Sequence, residues 1–308
     1  MQAIYLDCLP YLASDDVSRI SARFDIVESF SYNPSVVVAL IRPPQVYSDK
    51  FIKVFPNLRI ILSDTTGVTH LSEAFLNNSL NVYTLRDLSP SDRDDLTAAS
   101  ELAHLLISLS LRPVLSCHHR LIRSFSESDT TTDIFLPRSS YLGLTWHDVK
   151  LGFIGAGRIA TSVASFLPDY IGSLSYFDPY IPLSKVSNCG TRVSSLDDLF
   201  DKSNIILLSA TDDPQNEDLI NDVLLRHHLH ALINISRPYM VNSKSLLSSL
   251  RSGKLKYYYS DFQPPDLSPS ELSPFVRDGS MLFLPHIGGA THHSWRNSLA
   301  KILTFLPS

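Results

Sequence analysis

Short apolar runs rich in β-branched residues alternate with longer polar segments along the first third of the chain. These runs lie at residues 1–7, 35–41, 58–62 and 81–85, and each predicts a strand. Strands that alternate with helices form parallel sheets with helices on both faces. The pattern therefore predicts a first α/β domain.

A second alternating series begins at Val149. Its predicted strands are residues 149–154, 173–177, 205–209, 231–235, 257–261 and 281–284. A helix is predicted at 97–111, with Leu102, Leu105, Leu106 and Leu109 on its apolar face. Residues 294–306 are also predicted to be helical and to pack back on the first domain.

The expected fold is thus α/β, with two Rossmann-like, doubly wound parallel-sheet domains. Because the last helix returns to the first domain, that domain is predicted to be discontinuous. We assign residues 1–105 plus 288–308 to a substrate domain and residues 106–287 to a cofactor domain.

Composition excludes several classes of protein. Of 308 residues, 44% are hydrophobic and 19% are charged, which is ordinary for a globular protein. The net charge of -5 and the lack of a dense Lys/Arg block argue against nucleic acid. No apolar run approaches the roughly 20 residues that span a bilayer, and the start lacks the basic segment of a signal peptide.

Cysteine and histidine spacing indicates neither a disulfide framework nor a metal site. Cys8, Cys117 and Cys189 are widely spaced, which favours reduced thiols in a cytoplasmic protein. His227, His228 and His230 cluster without a credible set of further ligands. We therefore expect no metal.

A glycine motif follows the first strand of the second series. Residues 149–154 run directly into Gly155-Ala-Gly157-Arg-Ile-Ala160, which opens a helical pattern. Gly155 permits a tight turn, Gly157 lets the backbone approach a pyrophosphate, and Ala160 allows close helix–strand packing. Phosphate would lie at the helix N-terminus, where free N–H groups favour negative charge.

An acidic residue supports this interpretation. Asp178 follows the next predicted strand, 23 residues after Gly155, where a carboxylate would bind the adenosine ribose hydroxyls. It would also repel a 2′-phosphate, and residues 179–182 contain no Arg or Lys to bind one. The expected cofactor is therefore NAD, although an unrelated glycine turn with an unrelated acid is the alternative.

Three later strand ends carry chemically useful side chains. They supply a cation in Asn234-Ile-Ser-Arg237, carboxylates in residues 261–266, and an imidazole in Pro285-His-Ile-Gly-Gly-Ala-Thr291. A guanidinium can grip a carboxylate in a bidentate fork. A His–carboxylate pair can exchange a hydroxyl proton near neutral pH. Hydride transfer between NADH and a 2-oxo acid needs these parts.

These motifs resemble the signatures of the D-isomer-specific 2-hydroxyacid dehydrogenases, and the resemblance covers nearly the whole chain. It also includes residues 62–71 and 99–106, which are similar to the family's substrate-domain loop and domain-crossing helix. The resemblance implies NAD-dependent interconversion of a small anionic 2-oxo acid and the D-2-hydroxy acid. It also implies a homodimer.

The resemblance assigns a role to each matching residue. Arg237 would bind and polarise the substrate, His286 would be the general acid/base, and Asp266 would support His286. Asp261 would hold the nicotinamide carboxamide. Backbone around Thr66, Gly67 and Val68 would help to bind the substrate. Further cofactor contacts are implied at Arg158, Ile159, Ser209, Ala210, Ile235, Ser236, His286 and Gly288.

Three sites depart from the family pattern. Asp266 stands where the family has Glu, and is shorter by one methylene. Pro238 follows Arg237 where Gly is usual, which removes an N–H. The usual His-x-Pro reads Ser209-Ala210-Thr211, so that side of the cofactor site is altered.

Each assignment has an alternative. Arg237 could form a surface ion pair, Asp266 could serve a loop or a cap, and His286 could be a core histidine. For the whole chain, the alternative is an NAD(H)-sensing protein with the same fold and weak or no turnover. A weaker alternative, 3-phosphoglycerate oxidation, lacks the basic residues that a phosphate would need near Thr65.

Overall fold

Two sheets of parallel strands organise the chain in the computed structural model. Two compact units result: Met1–Leu96 with Gly289–Ser308, and Thr97–Gly288. The first unit is discontinuous, and the predicted α/β class is confirmed. The structure describes residues 2–42, 47–67, 71–72, 75, 80–93, 95–126, 138–182, 184, 186 and 188–307.

Strands and helices alternate along most of the chain. The strands are β1 Ala3–Leu6, β2 Asp25–Val27, β3 Val36–Ile41, β4 Ile60–Ser63, β5 Asn81–Tyr83, β6 Lys150–Ile154, β7 Ser173–Phe177, β8 Thr191–Arg192, β9 Ile205–Leu208, β10 Leu229–Asn234, β11 Leu255–Ser260 and β12 Met281–Phe283. The helices are α1 Ser14–Ser21, α2 Lys50–Val54, α3 Pro90–Arg93, α4 Ala98–Ser110, α5 Val114–Ser126, α6 Arg158–Phe166, α7 Leu196–Lys202, α8 Val223–Arg226, α9 Ser243–Arg251, α10 Pro269–Asp278 and α11 His292–Ile302.

The first unit is built on a parallel sheet with strand order β2-β1-β3-β4-β5. Side chains of β3 alternate between two buried clusters, with Ala39 in one and Val38 and Leu40 in the other. Such alternation follows from the two-residue period of a strand whose faces are both covered. Leu299 and Ile302 of α11 belong to the second cluster, which explains why the end of the chain returns to this unit.

A buried ion pair joins the ends of two neighbouring strands in the first unit. Arg42 follows β3 and Asp64 follows β4, and Arg42 Nη1 lies 3.1 Å from Asp64 Oδ2. The guanidinium stands 3.7 Å over the Trp295 ring, and Ser298 Oγ donates to Asp64 Oδ2 at 3.3 Å. Burial raises the pKa of Asp64 to about 6, although Arg42 opposes the shift.

The second unit is built on a parallel sheet with strand order β12-β11-β10-β9-β6-β7-β8. The chain runs outward from β6 through β7 to β8, and then returns to β9 on the other side of β6. This reversal leaves a crevice between the loops that follow β6 and β9, where such sheets bind ligands. On β9, Ile205 and Leu207 pack into one core cluster while Ile206 and Leu208 pack into another.

Helix α4 belongs wholly to the second unit, whereas our predicted boundary at residue 105 fell within it. The reason is that Ala103, Leu106 and Ile107 pack in the core of that unit. The predicted helix is confirmed, but its predicted face is partly wrong, since Leu105 is 59% exposed. Among the described residues no single helix is long and apolar enough to cross a bilayer, and only α4 with Val114–Phe125, bent by 68°, passes that test jointly.

Two strands were missing from the sequence prediction. β2 and β8 each lie at one edge of their sheet, opposite the edge strands β5 and β12, and have three and two residues. β8 is exposed along its length, and β2 begins with an exposed aspartate. Neither carries the apolar run that a buried strand requires, because an edge strand packs fewer side chains.

Replacing Arg42 by Met should lower the free energy of unfolding by about 3 kcal/mol near pH 8, because Asp64 would be left buried without its counter-charge. The folded-state pKa of Asp64 is already raised, from 3.8 to about 6. Removal of the Arg42 charge raises this pKa further, so the folded variant takes up the proton at a higher pH than wild type, and the deficit of Arg42→Met should be smaller at about pH 6 than near pH 8. Urea unfolding at both pH values measures this.

The matched control is Arg19→Met. Arg19 pairs with Asp16 at the surface, where its side chain is 63% exposed, so its replacement should cost less than about 1 kcal/mol. An equal loss for Arg42→Met at high and low pH would contradict the assigned role of the buried charge.

Candidate active site

The loop after β6 makes close contact with the loop after β9. Gly155 has a φ of +83°, in the left-handed region that favours glycine. A Cβ on this residue would lie 2.8 Å from Ala210 Cα. Glycine is therefore required at this position for two reasons, its left-handed backbone conformation and the close approach of the two loops.

The space in front of helix α6 is open. Gly157 is the N-cap of α6, and within the described structure no atom lies within 4 Å of the position its Cβ would occupy. Arg158 and Ile159 begin the helix, and Ala160 is fully buried beneath it. The open position beside Gly157 lies at the N-terminus of α6, where the helix dipole favours the negative charge of a pyrophosphate.

Asp178 follows β7 and organises the neighbouring backbone. Its Oδ2 accepts from Ala156 N–H at 3.0 Å, while its Oδ1 accepts from Tyr180 N–H at 2.9 Å and Ile181 N–H at 3.0 Å. A carboxylate has about four acceptor positions, so capacity remains for a ribose hydroxyl. Arg192 donates to the carbonyl of Asp178 at 2.6 Å, so a basic side chain from outside residues 179–182 lies beside this acid.

Four predicted cofactor contacts lie at the carboxyl ends of β9 and β10. Ser209 Oγ donates to the Gly155 carbonyl at 2.9 Å, and Ser236 Oγ donates to the Ala210 carbonyl at 2.9 Å. Ile235 is buried beside them, and its N–H donates to β9. These bonds tie three strand-end loops together around the crevice.

Asn234 shapes the turn that presents Arg237. Its buried side chain accepts from Ser236 N–H at 2.9 Å and donates to the Arg237 carbonyl at 3.0 Å. Pro238 begins the 3₁₀ turn Pro238–Met240, where a missing N–H leaves no hydrogen bond unmade. The departure at Pro238 is therefore accommodated by the turn.

Arg237 is held by a carboxylate. Its Nε lies 3.0 Å from Asp212 Oδ2, and the side chains are 20% and 9% exposed. Its Nη1 donates to the Ser236 carbonyl at 2.7 Å. Arg237 therefore does form an ion pair, as the alternative interpretation proposed. This pair is largely buried at the strand ends, whereas the alternative placed it on the surface.

His286 sits on a constrained loop beside a buried carboxylate. Its φ is +57°, and its N–H donates to the Asp261 carbonyl at 2.9 Å. The carboxylate of Asp261 accepts from Ile287 N–H and Gly288 N–H, both at 2.8 Å. Asp261 thereby holds the loop that carries the imidazole, and Gly288 is needed because a Cβ would lie 2.7 Å from Asp261 Oδ2.

The imidazole and the guanidinium both lie near one aromatic ring. Phe262 contacts the His286 ring at a centroid distance of 4.5 Å, and Arg237 Cζ lies 5.8 Å from its centroid. Desolvation lowers the pKa of His286, with Asp261 opposing and Arg237 adding to the shift. Burial raises the pKa of Asp261, against its two backbone hydrogen bonds.

Asp266 does not contact His286. It is exposed and lines a groove of about 470 Å³ that also contains Tyr239, Lys244 and Arg251. Within the described part of the chain, no hydrogen bond or ion pair joins Asp266 to another residue. The acidic neighbour of His286 is instead Asp261.

The predicted substrate loop lies in the first unit. Thr66 is exposed and Gly67 is buried, and Thr65 Oγ1 donates to the Gly67 carbonyl at 2.9 Å. Val68 lies outside the described residues. The hydroxyl of Thr65 therefore fixes the turn that presents the Thr66 backbone.

Sequence reasoning missed three residues of this site. Phe262 lies near both the imidazole and the guanidinium. Asp212 and Tyr239 support Arg237, since Tyr239 OH donates to Asp212 Oδ1 at 2.6 Å. Asp212 could have been recognised as a candidate from the sequence, because it is a charged residue shortly after β9. Over the residues that the structure describes, no group of three or more His, Cys, Asp or Glu side chains could hold a metal ion.

Residues 114–288 match the family described as "D-isomer specific 2-hydroxyacid dehydrogenase, NAD binding domain". The match spans more than half of the 308 residues, and the chain belongs to this family. The glycine turn, the open space before α6 and the acid after β7 fit NAD. The predicted family and the predicted cofactor are confirmed.

Curated relatives are distant and some are much longer. A D-lactate dehydrogenase from Lactobacillus delbrueckii subsp. bulgaricus is 23% identical over 74% of this chain and 75% of its own length. A D-3-phosphoglycerate dehydrogenase from Synechocystis sp. is 23% identical over 95% of this chain, which spans only 50% of that protein.

Solved structures share the fold. A D-lactate dehydrogenase from Treponema pallidum has a TM-score of 0.74 at 19% identity, covering 99% of this chain and 95% of that one. A D-lactate dehydrogenase from Aquifex aeolicus, complexed with NAD and lactic acid, has a TM-score of 0.72 at 16% identity, covering 98% and 92%.

The two glycines of the cofactor loop should respond differently to alanine. Gly155→Ala should lower the free energy of unfolding by about 1–3 kcal/mol, because of its positive φ and its contact with Ala210. Gly157→Ala should leave stability within about 0.5 kcal/mol but weaken NADH binding about tenfold or more, because its methyl group projects into open space before the helix. Urea unfolding and NADH fluorescence titration measure the two effects. Unchanged NADH affinity in Gly157→Ala would contradict the assigned pyrophosphate position.

Proposed function

We propose that this protein interconverts a small 2-oxo acid and the D-2-hydroxy acid with NAD(H). The observation that carries the proposal is that Arg237 and His286 both lie near the ring of Phe262, with Arg237 Cζ 5.8 Å and the His286 ring centroid 4.5 Å from its centroid. Both residues follow strands of the sheet whose glycine loop fits NAD. NADH would supply the hydride, and the side chains of this chain would bind the acid and move the proton.

Arg237 would bind the substrate carboxylate. Within the described residues, two of its five N–H groups have protein acceptors, Asp212 and the Ser236 carbonyl. The remaining N–H groups are on the terminal nitrogens, where a guanidinium forms its bidentate fork. The aromatic ring of Phe262 below the cation supports its orientation.

His286 would move the proton. In reduction the imidazolium donates to the carbonyl oxygen as this becomes a hydroxyl, and in oxidation the neutral ring accepts that proton. The hydrogen bond from the backbone N–H of His286 to the Asp261 carbonyl fixes the loop that carries the imidazole. Partial desolvation lowers the pKa of His286, so the neutral form predominates at neutral pH.

This electrostatic balance predicts the pH dependence. The reductive kcat/KM should fall as the pH rises through the pKa of His286, because the proton donor is lost. The fall should begin below the ordinary value of 6.5, while oxidation of the hydroxy acid should rise over the same interval. Initial rates between about pH 5 and about pH 9 measure both directions. A reductive rate that stays level well above neutrality would contradict the shifted pKa.

Substitution of His286 tests the reaction itself. The wild-type protein should oxidise NADH with one or more of glyoxylate, pyruvate and hydroxypyruvate. His286→Ala should lose about a hundredfold or more of that rate with nearly unchanged NADH affinity. His228→Ala, at an exposed position of the same unit, should retain both. An equal collapse of NADH affinity in His286→Ala would show that His286 serves binding and not proton transfer.

The second candidate is an NAD(H)-sensing protein with little turnover. Two observations favour it: Asp266 lies away from His286, and Arg237 is paired with Asp212. Tight NADH binding without NADH oxidation, across the same panel of 2-oxo acids, would support this candidate over the enzyme.

A further inference from the structure

Asp212 occupies a defined place between two partners. It lies in the loop after β9, where its carboxylate receives Arg237 Nε at 3.0 Å and Tyr239 OH at 2.6 Å. The carboxylate side chain is only 9% exposed. One oxygen serves each partner, so neither bond can shift without the other.

We infer that Asp212 is a positioning residue that fixes the guanidinium of Arg237 for the substrate carboxylate. The inference rests on the proposed function and adds a residue to it. Asp212 would hold the Nε side of the cation, and the Ser236 carbonyl would hold one N–H of Nη1. The terminal nitrogens of the guanidinium would then face the ligand in a single rotamer, so little side-chain conformational entropy is lost on binding.

Tyr239 makes this arrangement rigid. It lies in the 3₁₀ turn that begins at Pro238, so its backbone is set by the same turn that follows Arg237. Burial, with the negative charge of Asp212, raises the pKa of Tyr239 to about 12. The phenol therefore stays protonated and donates to Asp212 throughout the physiological range.

The ion pair also changes the charge of the site. Asp212 offsets much of the positive charge of Arg237, so the pair attracts an anion less strongly than a lone guanidinium would. Affinity for a 2-oxo acid must then depend on the direction in which the remaining N–H groups point. The two possible roles of Asp212 predict different results when it is removed. Binding of the acid weakens if Asp212 positions Arg237, whereas it does not weaken if Asp212 only competes with the substrate carboxylate.

The first measurement needs no turnover. Exchange of the Arg237 Nε proton with solvent can be followed by ¹⁵N NMR of the full chain, assigned by comparison with Arg237→Lys. The proton should exchange slowly in wild type and in Asp212→Asn, whose amide oxygen can still accept, and about tenfold faster in Asp212→Ala. Rapid exchange in wild type would overturn the inference.

The second measurement is binding of oxamate, a substrate analogue, to the NADH complex, followed by NADH fluorescence. Asp212→Ala should weaken oxamate binding about tenfold, Asp212→Asn should stay within about threefold, and NADH affinity should not change. Equal or tighter oxamate binding by Asp212→Ala would overturn the inference in favour of a competing carboxylate.

Asp213→Ala is the matched control, since Asp213 is exposed and its side chain only caps Gln215 N–H at 2.9 Å. It should match wild type in both measurements. Failure of the proposed function looks different: wild type would then bind no oxamate and reduce no 2-oxo acid, while the Arg237 Nε proton would remain protected. Protection lost in Asp212→Ala with unchanged oxamate affinity would overturn the positioning role alone.

Discussion

Parallel pairing of the strands is the constraint on which the site depends. Because every strand of the second unit runs in the same direction, the residues that follow β6, β7, β9, β10 and β11 emerge at one edge of one sheet. Gly155, Asp178, Asp212, Arg237 and Asp261 are thereby brought to one edge from positions far apart in the chain. Burial of both sheet faces fixes this register, since a one-residue slip would exchange the two core clusters.

Hydrogen bonds between neighbouring loops hold the geometry of the site at that edge. Ser209 and Ser236 bind the carbonyls of neighbouring loops, and Asp261 binds two N–H groups of the His286 loop. Each bond joins groups from different strands. A change in one loop is therefore transmitted to its neighbours.

Charge in the site is more balanced than the motifs suggest. Arg237 is paired with Asp212, and the carboxylate of Asp261 accepts hydrogen bonds from two backbone N–H groups. His286 has a lowered pKa and lacks the support that we expected from Asp266. Under the proposed function, these features favour a neutral imidazole and a guanidinium that binds by orientation.

Much of the fold could be predicted because its signals are local. The buried strands β3, β4, β6, β9, β10 and β11 carry apolar runs, and the glycine turn needs residues of a particular size and conformation. The edge strands β2 and β8 carry little of that signal. The face of α4 was also misjudged, because leucine spacing alone does not show which side meets the core.

Sequence alone was enough to assign the two α/β units, the family, the NAD loop, and the positions of Arg237 and His286 at strand ends. These depend on short-range patterns of hydrophobicity and on residues that only one backbone geometry accepts. The tertiary contacts were needed to show that Asp212 and Tyr239 support Arg237, that Phe262 lies near both Arg237 and His286, and that Asp266 lines a different groove. Those contacts join loops distant in sequence, and a carboxylate's partner depends on where its loop turns, which no local spacing specifies.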